Sequence, residues 1–167
     1  EKKLIFSGDP SRFPHIVDWK HSTPLHVYAT RAEGVDYSKV HLEGWRTQQE
    51  LLLELSKGGG FGLVWGNSEN PAEERDYYKE NVSYKLTTYL AAGIPVVVPD
   101  YLSNADYIRE KGLGFVVSSL EEASRVVQEC TTEEYDQMVT RAKYTAYLIK
   151  NGYFTKKLFI DSMMLLD

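Results

Sequence analysis

The chain has 167 residues, 43% hydrophobic and 26% charged, with a formal net charge of -5; that length suits one domain with a sizeable core and is short for two. An acidic balance argues against a nucleic-acid binder, which needs a basic face for the phosphate backbone, so any anion bound here must meet a local cationic spot. The one cysteine, Cys130, allows no internal disulfide and is compatible with the cytoplasm, and no apolar run reaches the length of a membrane span or shows a signal-peptide pattern.

Lys2 and Lys3 lead straight into a strand signal, an abrupt start that implies a missing preceding segment. Residues 4–6 read as a short strand, 11–19 as a helix opening after Pro10, and 25–29 and 40–44 as two further strands. The crossover between these last two, 30–39, has little helical signal and is expected to be irregular. Residues 47–57 place Leu51, Leu52 and Leu55 at helical spacing and stop at Gly58, Gly59 and Gly60. A fourth strand follows at 61–65, then a polar, charged loop at 68–79 that is expected to be mobile. Residues 82–92 form a helix with Leu86, Tyr89 and Leu90 on one face; the β-branched run 94–98 is a strand buried on both faces. Ser103 with Asp106 marks a helix entry, Gly112 a stop, and Gly114–Val117 a sixth strand. Ser119 with Glu122 and Thr131 with Glu134 predict capping boxes, and residues 131–167 read as a helical extension broken at Asn151 and Gly152. The class is α/β: a Rossmann-like, doubly wound six-stranded parallel sheet with extra C-terminal helices, in a single domain spanning 1–167.

The corner between the fourth strand and the helix after Asn81 is the most informative feature. A helix N-terminus just past the carboxyl end of a parallel strand offers backbone N–H groups and a favourable dipole to an anion. Lys85 falls about one turn into that helix, where a cation opposes the dipole unless an anion is present; this favours a ligand role over a solvated lysine. Asn81 and Ser83 are N-cap residue types, which capping alone explains, although such residues at a ligand-facing turn often reach the ligand too. Arg12 follows the first strand at the same edge. It can pair with a diphosphate or sit on the surface beside Asp9 or Asp18, and both readings stand. Trp45 and Arg46 follow the third strand, also at that edge. An aromatic against a nucleobase, or a tryptophan over the core with a solvated arginine, are equally open.

Other chemistry lacks its pattern. The stretch after Phe6 has no set of three spaced glycines for a dinucleotide, there is no Walker A loop, and Gly58, Gly59, Gly60 and Gly62 flank the start of a strand rather than follow one. His15, His21, His26 and His41 fall on different elements without ligand spacing. Glu73 and Glu74 read as a solvated loop, Glu121 and Glu122 as a helix entry, and no Ser/His/Asp arrangement can be argued.

Residues 81–96, Asn-Val-Ser-Tyr-Lys-Leu-Thr-Thr-Tyr-Leu-Ala-Ala-Gly-Ile-Pro-Val, resemble the donor-binding half of GT-B glycosyltransferases, whose pattern there runs P-x-K-[LF]-x-E-Y-L-A-A-G-x-P-V. With Ser7-Gly8-Asp9-Pro10 and Arg12-Phe13-Pro14, nearly the whole chain resembles the bacterial glucosyltransferases that extend the first N-acetylglucosamine on serine-rich repeat adhesins. That resemblance implies two Rossmann-like domains with the active site between them, this chain being the C-terminal one that holds UDP-glucose. It implies that Arg12 and Lys85 contact the diphosphate and that Gly44 and Trp45 meet the uracil. It also implies that Asn81, Val82, Ser83 and Tyr84 present helix N-terminal amides to the phosphates, and that Gly66 and Asn67 line the cleft. Thr88 stands where many relatives place a ribose-binding glutamate, and cannot accept two hydrogen bonds in the same way; Glu80 falls at the first acid of the paired-glutamate motif.

The resemblance implies catalysis without a metal or cofactor and a glycoprotein acceptor bound through the missing N-terminal domain; the expected location, cytoplasmic, goes with the single cysteine. The chain alone is then expected to bind UDP and to transfer little or no sugar. Phe154, Leu158, Phe159, Met163 and Leu166 give the last helix more apolar surface than a free tail wants, implying packing on the other domain, on a second copy, or on its own sheet. Two further readings stay open: a non-catalytic Rossmann-like module that binds a nucleotide or phosphate, and an interaction domain that only kept the fold.

Overall fold

Alternating side chains along the first strand decide the layering, because successive residues of a strand face opposite sides of its sheet. In the computed structural model, which describes residues 2–66, 76, 78, 81 and 83–164, Leu4 and Phe6 join one buried cluster and Ile5 the other. The strands are β1 Leu4–Ser7, β2 Leu25–Tyr28, β3 His41–Leu42, β4 Phe61–Leu63, β5 Val96–Pro99 and β6 Gly114–Val117. They form one six-stranded sheet in the order β3-β2-β1-β4-β5-β6, with every pairing parallel. The helices are α1 Pro14–Val17, α2 Gln48–Gly58, α3 Tyr84–Ala92, α4 Ala105–Lys111, α5 Leu120–Glu129, α6 Thr132–Lys150 and α7 Tyr153–Met164. Phe13 and Ile16 around α1, with Ala123 and Val127 of α5 and Met138 of α6, cover the Leu4 face. Leu51 and Leu55 of α2, with Leu86, Tyr89 and Leu90 of α3 and Ile108 of α4, cover the Ile5 face. The expected doubly wound Rossmann-like sheet with helices on both faces is therefore present.

The order runs outward from β1 to β3 and then returns to place β4 on the other side of β1. At such a reversal the loops leaving the two central strands diverge and open a crevice at their carboxyl ends. In this chain that crevice lies between the turn after Ser7 and the residues after Leu63.

Several boundaries differ from expectation, each for a local reason. Residues 11–19 are not one helix: a 3-10 turn at Pro10–Arg12 is followed by one α turn at Pro14–Val17, with Phe13 between them at φ -132°, ψ 60°. Pro14 disfavours helical backbone at the residue before it. β3 keeps two of its five expected residues; it is an edge strand, and the chain turns away at Gly44 with φ 83°. Ile94 belongs to a helix stop rather than to β5: Gly93 is left-handed, its N–H reaches Leu90 O, and the Ile94 N–H bonds Tyr89 O at 3.2 Å. The Thr131 and Glu134 box forms in full, as does one at Thr47 and Glu50. The Ser119 box is half made, because the Glu122 carboxylate takes the N–H and hydroxyl of Ser118 instead. α4 is entered from Asn104 with no side-chain cap. The loop expected at 68–79 lies almost wholly outside the described residues.

One contact crosses the sheet face and fixes α3. The Tyr89 hydroxyl accepts the Ser7 N–H at 2.9 Å, and a Cβ on Gly62 of β4 would overlap the Tyr89 ring. The missing side chain is what lets the phenol reach the carboxyl end of β1. Tyr89 is fully buried, and that burial pushes its hydroxyl pKa above the ordinary value. Gly62→Ala is expected to lower stability by about 1–3 kcal/mol or more through overpacking, and Tyr89→Phe by about 1–3 kcal/mol through the stranded Ser7 N–H. Urea unfolding midpoints measure both, and unchanged midpoints would contradict this packing.

Candidate functional site

The turn after β1 is built by its own side chains. Asp9 caps the 3-10 turn, its Oδ1 accepting from the Ser11 N–H at 3.0 Å and the Ser11 hydroxyl at 2.8 Å. The hydroxyl bond first, then the amide bond, holds the Asp9 carboxyl below its ordinary pKa; Arg12 adds a smaller lowering. Arg12 ends the turn on the surface. Among the described residues its guanidinium makes no hydrogen bond or ion pair. Gly8 passes close over two rings: a Cβ there would come within 2.9 Å of Phe6 and 3.2 Å of Phe13. Those rings meet edge to face at 4.9 Å.

Lys85 arrives from the other side of the crevice. It is the second residue of α3, and its Nζ lies 4.4 Å from the centre of the Phe13 ring and 5.1 Å from that of Phe6. Aromatic faces attract an ammonium at such distances, so the cation is anchored against the Gly8 turn at the very end of the helix that disfavours it. The first N–H groups of any helix lack intrahelical acceptors, so the α3 start and Lys85 present donors and a cation together. Ser83 is the N-cap residue and is buried, but its side chain makes no capping bond. Tyr84 is exposed, as is Asn81. Gly66 is buried directly after Trp65.

Thr88 is buried, and its hydroxyl donates to Tyr84 O at 3.0 Å. Asn67, Val82 and Glu80 lie outside the described residues. Among the described residues no three of His, Cys, Asp and Glu come together in a way that could hold a metal ion.

A cavity of about 490 Å3 continues from this turn along the carboxyl ends of β1, β2 and β3, lined by Ser7, Gly8, Tyr28, Thr30, Trp45 and Arg46 among others. Trp45 is 64% exposed at its rim and does not cover the core. Arg46 is half-buried and paired: its Nε and Nη2 donate to Glu54 at 2.7 and 3.2 Å, and its Nη1 to Trp45 O at 3.1 Å. Gly44 supplies the left-handed turn before Trp45. The structure thus places Lys85 on Phe13, the residue after Arg12, while Trp45 shares its cavity with the Gly8 turn and with neither of these two cations.

Sequence reasoning missed Phe6 and Phe13 as the seat of Lys85, Glu54 as the partner of Arg46, and Tyr89 as the brace. Gly62 was the available signal for the last, since glycine inside a strand marks a close approach.

The sequence has known relatives. The family model described as "Glucosyltransferase 3-like, C-terminal domain" matches residues 4–162. A Glucosyltransferase 3 of Streptococcus gordonii is 56% identical over 162 residues, covering 97% of this chain and 48% of that protein. A Glucosyltransferase 3 of Streptococcus parasanguinis is 34% identical over 163 residues, covering 98% and 48%. The beta-1,6-galactofuranosyltransferase WbbI of Escherichia coli (strain K12) is 27% identical over 157 residues, covering 92% and 47%. The chain spans about half the length of the curated relatives it matches.

Asp9 offers a direct check of the turn. Its lowered carboxyl pKa means that turn order is present at neutral pH and is lost as pH falls through the folded value. Ser11→Ala removes the larger cause and keeps the amide bond. The Asp9 carboxyl, followed by NMR, is expected to move up toward 3.8; an unmoved titration would show that the hydroxyl bond does not hold this turn.

Proposed function

The chain belongs to the family of Glucosyltransferase 3-like C-terminal domains, and from that membership we propose that it is the UDP-sugar-binding half of a GT-B hexosyltransferase. The observation that carries the reading is the Lys85 ammonium seated on Phe6 and Phe13, beside the turn ending in Arg12, at the switch point of a parallel sheet. That is a cationic spot at the place where doubly wound sheets bind ligands, in a chain of net charge -5.

In this reading the donor diphosphate lies over the Gly8 turn, between Arg12, Lys85 and the first amides of α3. Glycosyl transfer builds negative charge on the departing UDP. Fixed donors and cations that stabilise this charge lower the barrier without reorganising during the reaction. No metal is required for that step. The uracil reaches the Gly44 and Trp45 rim of the adjoining cavity. Glucose is the sugar, N-acetylglucosamine on a serine-rich adhesin glycoprotein the acceptor, and the cytoplasm the place of action. Thr88 donates its hydroxyl to Tyr84 O, which leaves its oxygen able to accept one ribose hydrogen bond, and other groups complete ribose recognition. The acceptor site and any general base lie in the part of the protein beyond this chain.

α7 supports a partner as well. Tyr153, Phe154, Leu158, Phe159, Ile160, Met163 and Met164 are 40–73% exposed, and the helix buries no residue. A helix apolar around much of its circumference is ordinarily enclosed, here by the other half of the protein or by a second copy. Among the described residues no helix is long and apolar enough to cross a membrane.

Three outcomes are expected. Calorimetry with UDP, UMP and ADP shows uridine preference; equal binding of purine nucleotides, or of phosphate alone, would instead favour a general phosphate-binding module. Arg12→Ala and Lys85→Ala each weaken UDP by about 10–100-fold, the scale of a charge-assisted hydrogen bond, and leave uridine nearly unaffected; equal losses would remove the diphosphate assignment. A radiochemical assay finds UDP-glucose bound by this chain but little sugar transferred, and near-full turnover would contradict the division of labour.

A further inference from the structure

The protein has three tryptophans. Trp19 and Trp65 are buried at 5% and 2% exposure, whereas Trp45 is 64% exposed. An exposed indole usually has no fixed place, because nothing packs on it. Trp45 is held by its backbone instead. Gly44 precedes it at φ 83°, and its carbonyl accepts from Arg46 Nη1 at 3.1 Å. That guanidinium is locked in turn by a fork to Glu54, at 2.7 Å from Nε and 3.2 Å from Nη2. It also lies 6.0 Å over the Tyr28 ring. Glu54 is carried by α2, whose start is fixed by the Thr47 and Glu50 capping box. The left-handed backbone at Gly44 favours glycine, and a Cβ there would come within 3.3 Å of Arg46 Nη1.

All three guanidinium nitrogens therefore have partners inside the protein. Arg46 acts as a strut between Glu54 and the Trp45 carbonyl. What the strut holds is an indole at the rim of a cavity of about 490 Å3, within the size range of small-molecule sites. Planar bases stack on such faces.

We infer that Arg46 and Glu54 are positioning residues: their fork holds Gly44 and Trp45 as a preformed stacking platform for the donor's nucleobase. This rests on the nucleotide-binding reading above and deepens it. Affinity divides into a diphosphate part, set by Arg12 and Lys85, and a base part, set by the Arg46 and Glu54 fork. Lysine cannot replace Arg46, because an ammonium has no fork and cannot serve Glu54 and Trp45 O in fixed geometry.

The test titrates the chain with UDP and, separately, with inorganic pyrophosphate, which carries no base. Glu54→Ala, Arg46→Lys and Trp45→Ala are each expected to weaken UDP about tenfold while pyrophosphate stays within about twofold of the parent. Trp45→Phe keeps a stacking face and stays near the parent. Acrylamide quenching of Trp45 is expected to fall on adding UDP to the parent, and the Trp45 fluorescence anisotropy to drop in Glu54→Ala. Parent UDP binding that is unaltered by Glu54→Ala and Arg46→Lys would overturn the inference, as would equal losses of UDP and pyrophosphate. A parent that binds pyrophosphate as tightly as UDP would overturn the platform but leave the anion site standing. A parent that binds neither would overturn the nucleotide reading and the platform together.

Discussion

The hydrogen bond from the Ser7 N–H to the Tyr89 hydroxyl, made through the space that Gly62 leaves open, is the constraint on which the crevice depends. α3 and β1 are far apart in sequence and do not share a strand pairing. Tyr89 ties them at one point. Side chains four residues apart in a helix lie on the same face, one above the other, so placing Tyr89 against Ser7 also sets where Lys85 arrives. It arrives on Phe6, the residue before Ser7, and on Phe13. Register of the helix against the first strand and position of the cation are thus one geometric fact.

The electrostatics follow from the same contact. A lysine in the first turn of a helix meets the positive end of the dipole. The faces of two aromatic rings oppose that cost, because their quadrupole attracts a cation. Exposed charges more than about 8 Å away are largely screened at physiological salt, so the excess of acidic residues over the whole molecule weighs less than the few groups lining the turn. Asp9, the nearest acid in the sequence, is turned to Ser11 and serves as the turn's cap. Arg12 ends the same turn, exposed. The acid of this turn is thus engaged in building it, while Arg12 still acts on its charge.

Much of the architecture was legible because strands buried on both faces are continuous apolar runs, and helix stops are glycines. Misjudged boundaries came where one residue served two elements: Pro14 splits the expected helix, and Ile94 closes the α3 stop before it can enter β5. Of the site, Lys85 could be singled out because its position runs against the dipole, and Trp45 because an aromatic follows a strand at the carboxyl edge. Nothing in the spacing of Phe6 and Phe13 connects them to Lys85. No periodicity connects Glu54 to Arg46. Such links are made by tertiary approach, which a one-dimensional pattern does not carry.

The most direct measurement is an amide and indole NMR spectrum of the isotope-labelled chain recorded with and without UDP. The account predicts that the shifts concentrate at the Gly8 to Arg12 turn, at the start of α3 around Lys85, and at the Trp45 indole N–H. Shifts confined to the opposite edge of the sheet, or no shifts at saturating nucleotide, would contradict it.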